Sequence, residues 1–104
     1  MENSKPQVGS VVLSIAGRDK GKHFVILNIV DEQYALIADG DMRKVANPKR
    51  KKVKHLEAKD VFLPMVLERM DEGLKPLDFE IRNNLKALGL LTIDKSLLVD
   101  KKED

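Results

Sequence analysis

Gly9-Ser10-Val11-Val12-Leu13-Ser14-Ile15-Ala16, then Gly17-Arg18-Asp19-Lys20-Gly21-Lys22, then His23-Phe24-Val25-Ile26-Leu27-Asn28-Ile29-Val30 follow one another without interruption. Two Val/Ile-rich apolar runs flank a glycine-bounded polar loop, which is the pattern of two antiparallel strands and their turn. Asp31-Glu32 supplies a second turn, and Tyr34-Ala35-Leu36-Ile37-Ala38 a third run that ends at Asp39-Gly40-Asp41. Asp-Gly is a strong hairpin signal, so Met42–Val45 is expected to be a short fourth strand and Val53 with Leu56 part of a fifth. In the first run Val11, Leu13 and Ile15 share one face, and Val12, Ser14 and Ala16 the other, smaller one. The first two runs are apolar at nearly every position, which suits a small closed barrel better than a sheet with one wet face.

The charged residues divide the chain in two. Up to Leu56 the bases are Lys5, Arg18, Lys20, Lys22, Arg43, Lys44, Lys49, Arg50, Lys51, Lys52 and Lys54, against Glu2, Asp19, Asp31, Glu32, Asp39 and Asp41. From Glu57 onward acids outnumber bases, so a formal net charge of +2 conceals a cationic first half and a weakly anionic second half. That asymmetry points to a polyanion as partner of the first half. Asn47-Pro48-Lys49-Arg50-Lys51-Lys52-Val53-Lys54-His55 holds the densest charge. Pro48 confines it to a loop or an edge. Such a run can be a solvated face or an edge guarded by lysine, but crowded like charges repel one another unless an anion neutralises them.

Enzymatic chemistry finds little support. Gly17-Arg-Asp-Lys-Gly21-Lys22 has three residues between its glycines where a phosphate-binding loop needs four, and His23 stands where Ser or Thr is required. Asp39 and Asp41 are accounted for by turn chemistry. His23 and His55 lie on separate elements in a chain without cysteine, a poor basis for a zinc site. No nucleophile–base set is visible, and no cofactor is expected. The absence of Cys, of a long apolar run and of an apolar leader in Met1–Pro6 makes a soluble cytoplasmic protein, with no membrane partner, the default expectation.

Val12–Val30, with Gly17-Arg18-Asp19-Lys20-Gly21-Lys22 at its centre, resembles a KOW motif, found in several ribosomal proteins and in the transcription factor NusG. Gly21 matches the glycine central to that pattern. Asn47–Leu56 resembles the basic segment that closes the barrel in ribosomal large-subunit KOW proteins of the fourteen-e type and in their small bacterial relatives. The resemblance covers about Val8 to Asp60. It implies a mainly β fold, a small five-stranded SH3-like (KOW) barrel, and binding to ribosomal or another structured RNA.

The chain is thus expected to comprise a flexible arm (1–7), the barrel (8–60), a helical C-terminal extension (61–99) packed on the barrel or docking a partner, and a disordered tail (100–104). In the extension, Pro64 suits a helix's first turn and Gly73 its exit. Asp78 is a good N-cap for a second helix, with Phe79, Ile81, Leu85 and Leu88 mainly on one face and Gly89 as its stop. Leu90–Ile93 and Leu97–Val99 read as short strands or as apolar stretches folding back on the barrel.

The expected RNA-binding residues are Arg18, Lys20 and Lys22 from the first loop, with Arg43, Lys44, Lys49, Arg50, Lys51, Lys52 and Lys54 from the later basic region. Gly17 and Gly21 are expected to allow close approach of a nucleic-acid backbone. Phosphate contacts position a protein without reading sequence. With Phe24 and Tyr34 as the nearest aromatics, both in strands where they can equally be core, recognition of RNA shape and backbone is expected. The alternative reading is a protein-interaction module of the transcription or translation machinery.

Overall fold

A computed structural model describes residues 6–91. Of the expected arm, Pro6 and Gln7 lie within that range. Thr92 and Ile93, together with the short strand or folded-back stretch expected at Leu97–Val99 and the tail, lie outside it.

Five strands form one antiparallel sheet: β1 (Ser10–Ser14), β2 (His23–Ile29), β3 (Tyr34–Ala38), β4 (Lys49–Lys52) and β5 (Leu56–Phe62). Their order is β4-β3-β2-β1-β5. A single 3₁₀ turn, Val53–His55, joins β4 to β5. Val12, Phe24, Ile26, Ala35, Ile37 and Leu56 meet in one buried cluster, with Val53 against it. Residues from β1, β2, β3 and β5 therefore face the same interior, and the sheet is curled on itself as an SH3-like barrel. The small side of β1 is the inward one: Val12 and Ser14 are buried, while Ile15 is exposed.

Double burial of β1 and β2 has a different cause from the expected one. A closed barrel hides only its inner face. The outer residues Val11, Val25 and Leu27 join Ala38, Val45, Leu63, Val66, Ile81 and Leu85 in a second buried cluster. That cluster lies beneath two helices, α1 (Pro64–Asp71) and α2 (Asp78–Ala87). Alternate residues of one strand thus serve two cores. At about 25 cal/mol per Å² of apolar surface removed from water, both cores are needed in so small a chain.

Met42–Val45 is a turn, not a strand. The Asp39 carboxylate accepts the amides of Asp41 (2.8 Å) and Arg43 (2.9 Å). The amides of Asp39 and Gly40 both donate to the Arg43 carbonyl at 3.0 Å. This side-chain-stapled turn replaces the two-residue hairpin that Asp-Gly favours. Gly40 has φ of +77° and lies against the backbone of Asp78 and Arg82, so a Cβ there would meet α2. The fourth strand forms instead from Lys49-Arg50-Lys51-Lys52, in register Ile37↔Lys49 to Tyr34↔Lys52.

Asp78 is the first residue of α2, not its cap; its Oδ1 accepts the Val45 amide at 2.7 Å. Glu80 accepts the Leu77 amide at 3.3 Å and pairs with Arg69 of α1 at 3.0 Å. Of the residues expected on one face of α2, Ile81 and Leu85 are buried, but Phe79 and Leu88 remain 50% and 47% exposed. Leu90 and Leu91 pack against the second cluster without forming a strand.

Candidate nucleic-acid interface

The register decides which loops are neighbours. Leu13 pairs with His23, Val25 with Ala38, and Ile37 with Lys49. The loop from Ile15 to Lys22, the turn from Asp39 to Pro48 and the start of β4 therefore lie at one end of the sheet. Arg18, Lys20, Lys22, Arg43, Lys44 and Lys49 belong to these segments, whereas Lys52, opposite Tyr34, and Lys54 lie toward the far end of β4.

Two contacts lock the first loop to β4 across the seam of the barrel. Lys51 Nζ donates to the Ala16 carbonyl at 2.8 Å, and Lys49 Nζ stands 3.4 Å from Asp19 Oδ2. Ser14 Oγ also donates to the Ala16 carbonyl, at 3.1 Å. The seam explains how four successive cations can form a strand. Lys49 and Lys51 face inward with Ala35 and Ile37, and each finds an oxygen at the sheet's end. Arg50 and Lys52 face outward with Tyr34 and Leu36.

The expected site residues therefore fall into distinct groups. Arg18, Lys20, Lys44, Arg50, Lys52 and Lys54 are exposed, and Lys22 and Arg43 are half-buried. Lys51 is only 7% exposed, and its ammonium is occupied by a carbonyl; it holds the loop in place and does not present its charge. Lys49 is shared with Asp19, whose side chain is 15% exposed; Asp39, its carboxylate taken up by backbone amides, and the exposed Asp41 also stand at this end. Asp19 Oδ2 is buried without a hydrogen bond, so the attraction of Lys49 is what offsets its desolvation. Arg43 and Lys44 share this end of the barrel but sit in the turn tied to α2.

The glycines also separate. A Cβ on Gly17 would lie 3.0 Å from Lys51 Nζ, so Gly17 makes room for the seam. A Cβ on Gly21 would meet nothing within 4 Å, and its φ of +91° serves the turn while its outer side stays open. Tyr34, expected equally as core, lies on the outer face. The Arg50 guanidinium carbon sits 4.2 Å from its ring centroid, a cation–π contact. Only the residue register shows that pairing, since the two are sixteen positions apart.

His23 opens β2, opposite Leu13 of β1. Burial, and then the Lys59 ammonium, push its imidazole below the usual histidine range; a backbone hydrogen bond at Leu90 partly opposes them.

The chain matches no protein-family model. It is similar to proteins described as large ribosomal subunit protein eL14. The Staphylothermus marinus protein is 30% identical over 95 residues, spanning 91% of this chain and 92% of the relative. The Pyrobaculum neutrophilum protein is 36% identical over 83 residues, 80% of this chain and 74% of the relative. The Pyrobaculum calidifontis protein is 29% identical over 94 residues, 90% and 84% of the two chains. These alignments reach well beyond the half of the chain that carries the KOW resemblance.

Proposed function

Since the chain belongs to the eL14 family of large-subunit ribosomal proteins, we propose that it is a non-catalytic RNA-binding protein of the large ribosomal subunit or of a related ribonucleoprotein. It grips folded RNA through the basic end of its barrel. The observation that carries this reading is the seam: the Lys51–Ala16 and Lys49–Asp19 contacts hold the Arg18/Lys20 loop against β4. Exposed cations distant along the chain are thereby held in a fixed arrangement before any ligand arrives, which lowers the ordering cost of binding. Lys and Arg so placed neutralise phosphates and release counterions. Gly21 adds an unobstructed stretch of backbone beside them.

A gradient sedimentation and crosslinking experiment tests this. The tagged full chain, expressed in cells, is expected to travel with the large ribosomal subunit and to crosslink to RNA through residues 18–22 and 50–54. A chain that stays at the top of the gradient with no RNA attached contradicts the reading. A second reading, a protein-interaction module, is favoured by Leu77, Phe79 and Leu88, which leave apolar surface on and beside α2. It predicts crosslinks to protein alone, from α2.

A further inference from the structure

We propose that Arg50 and Tyr34 form a stacking site for one unpaired nucleobase of the bound RNA; this rests on the RNA-binding reading above and adds a base contact to it. The pair occupies the outer face of the β3–β4 ribbon. Tyr34 is opposite Lys52 in register and Leu36 opposite Arg50, so one flat patch carries an aromatic ring, an aliphatic side chain, a guanidinium and an ammonium. The guanidinium carbon lies over the Tyr34 ring, 4.2 Å from its centroid. Arg50 is exposed, and no carboxylate among the described residues pairs with it.

A planar cation already resting on a ring has lost much of its rotamer freedom. Its outer surface is then a preformed platform for another flat π system. The flanking chemistry favours a base over a phosphate at this spot. Asp31 Oδ1 accepts the amides of Gln33 (2.7 Å) and Tyr34 (2.9 Å), which sets a carboxylate at the hairpin end of the same strand. A phosphate is repelled there and a neutral base is not. Lys54, exposed and further along the chain, can take a phosphate on one side of the stacked nucleotide. Bases splayed from bulges and loops are the usual targets of such stacking.

The test uses the full chain, a blunt RNA duplex, and the same duplex with adenosines bulged from one strand. Arg50→Lys keeps the charge and removes the plane. It is expected to weaken binding of the bulged RNA about tenfold while changing the blunt duplex less than about twofold. Tyr34→Leu, which removes the ring beneath, is expected to show the same selective loss. Tyr34 is the only tyrosine in a chain without tryptophan, so its emission reports on the site. It is expected to fall when the bulged RNA binds and to hold when the blunt duplex binds. Equal effects of Arg50→Lys on both RNAs, or on neither, overturn the stacking site while leaving RNA binding intact. Failure of the unaltered chain to bind either RNA overturns the RNA-binding reading and this proposal together.

Discussion

Lys51 and Lys52 are adjacent, identical in chemistry and opposite in role. Lys51 is turned into the seam and bonded to the Ala16 carbonyl; Lys52 stands in solvent. Lys51→Ala removes a hydrogen bond to a charged group and the packing of a long stem, and is expected to cost about 1–3 kcal/mol in urea unfolding. Lys52→Ala is expected to stay within about 0.5 kcal/mol. For RNA affinity the order reverses: Lys52→Ala reduces the salt slope by about one and Lys51→Met leaves it unchanged.

His23 gives a second residue-scale test. Its folded-state pKa lies below the unfolded value of 6.5, so the unfolded chain binds the proton more readily. Its neutral form is the stable one in the fold. Stability from this group is complete above about pH 6.5 and falls as acid takes the pH through that value. His23→Gln is expected to flatten this part of a stability–pH profile, and an unchanged profile would remove His23 from the account. The single letters in the sequence do not separate Lys51 from Lys52. The difference depends on which way each strand residue points once β4 is paired with β3, and Lys49-Arg50-Lys51-Lys52 has no apolar alternation to reveal it.

Elements formed where their own residues carried a local signal. β1, β2 and β3 follow from Val/Ile runs closed by glycine and aspartate turns, and α1 from Pro64 and Gly73. β4 is not legible because a run of lysine and arginine carries neither β-branched nor aromatic residues. What makes them a strand is the free edge of β3 together with oxygens from Ala16 and Asp19, all distant in sequence. The turn after Asp39 is stapled locally by the Asp39 carboxylate, while Asp78 of α2, distant in sequence, ties the following residue Val45 to the helix. The continuous apolar pattern of β1 and β2 signals burial of both faces, but the layer covering the outer one is helical. Because Ile81 and Leu85 share a buried cluster with Val11 and Val25, the helices and barrel should unfold together as one cooperative unit. Leu85→Ala is expected to cost about 2–5 kcal/mol, as a barrel-core Ile26→Ala would. It should shift a single transition seen by both helical and strand signals. Loss of the helical signal alone, with the barrel transition unmoved, would show the helices to be an appended layer.

At the scale of the whole molecule, the charge asymmetry of the sequence becomes a division of surfaces. The barrel's loop end carries Arg18, Lys20 and Lys44, Arg50 and Lys52 stand on the outer face of β4, and the helices α1 and α2 cover the outer side of β1 and β2. The basic half was legible as a candidate site because its cations outnumber its acids so heavily. Their meeting place was not, because it depends on the Lys51–Ala16 and Lys49–Asp19 contacts across the seam. The most direct test of the account is the salt dependence of binding to a structured RNA, measured for the unaltered chain and for a variant combining Arg18→Ala, Lys20→Ala and Lys52→Ala. The three exposed cations are expected to contribute about two to three units of the log–log slope, so the variant should bind more weakly with a slope shallower by that amount. A variant that keeps the full slope would show that RNA, if bound, lies elsewhere, and would contradict the account.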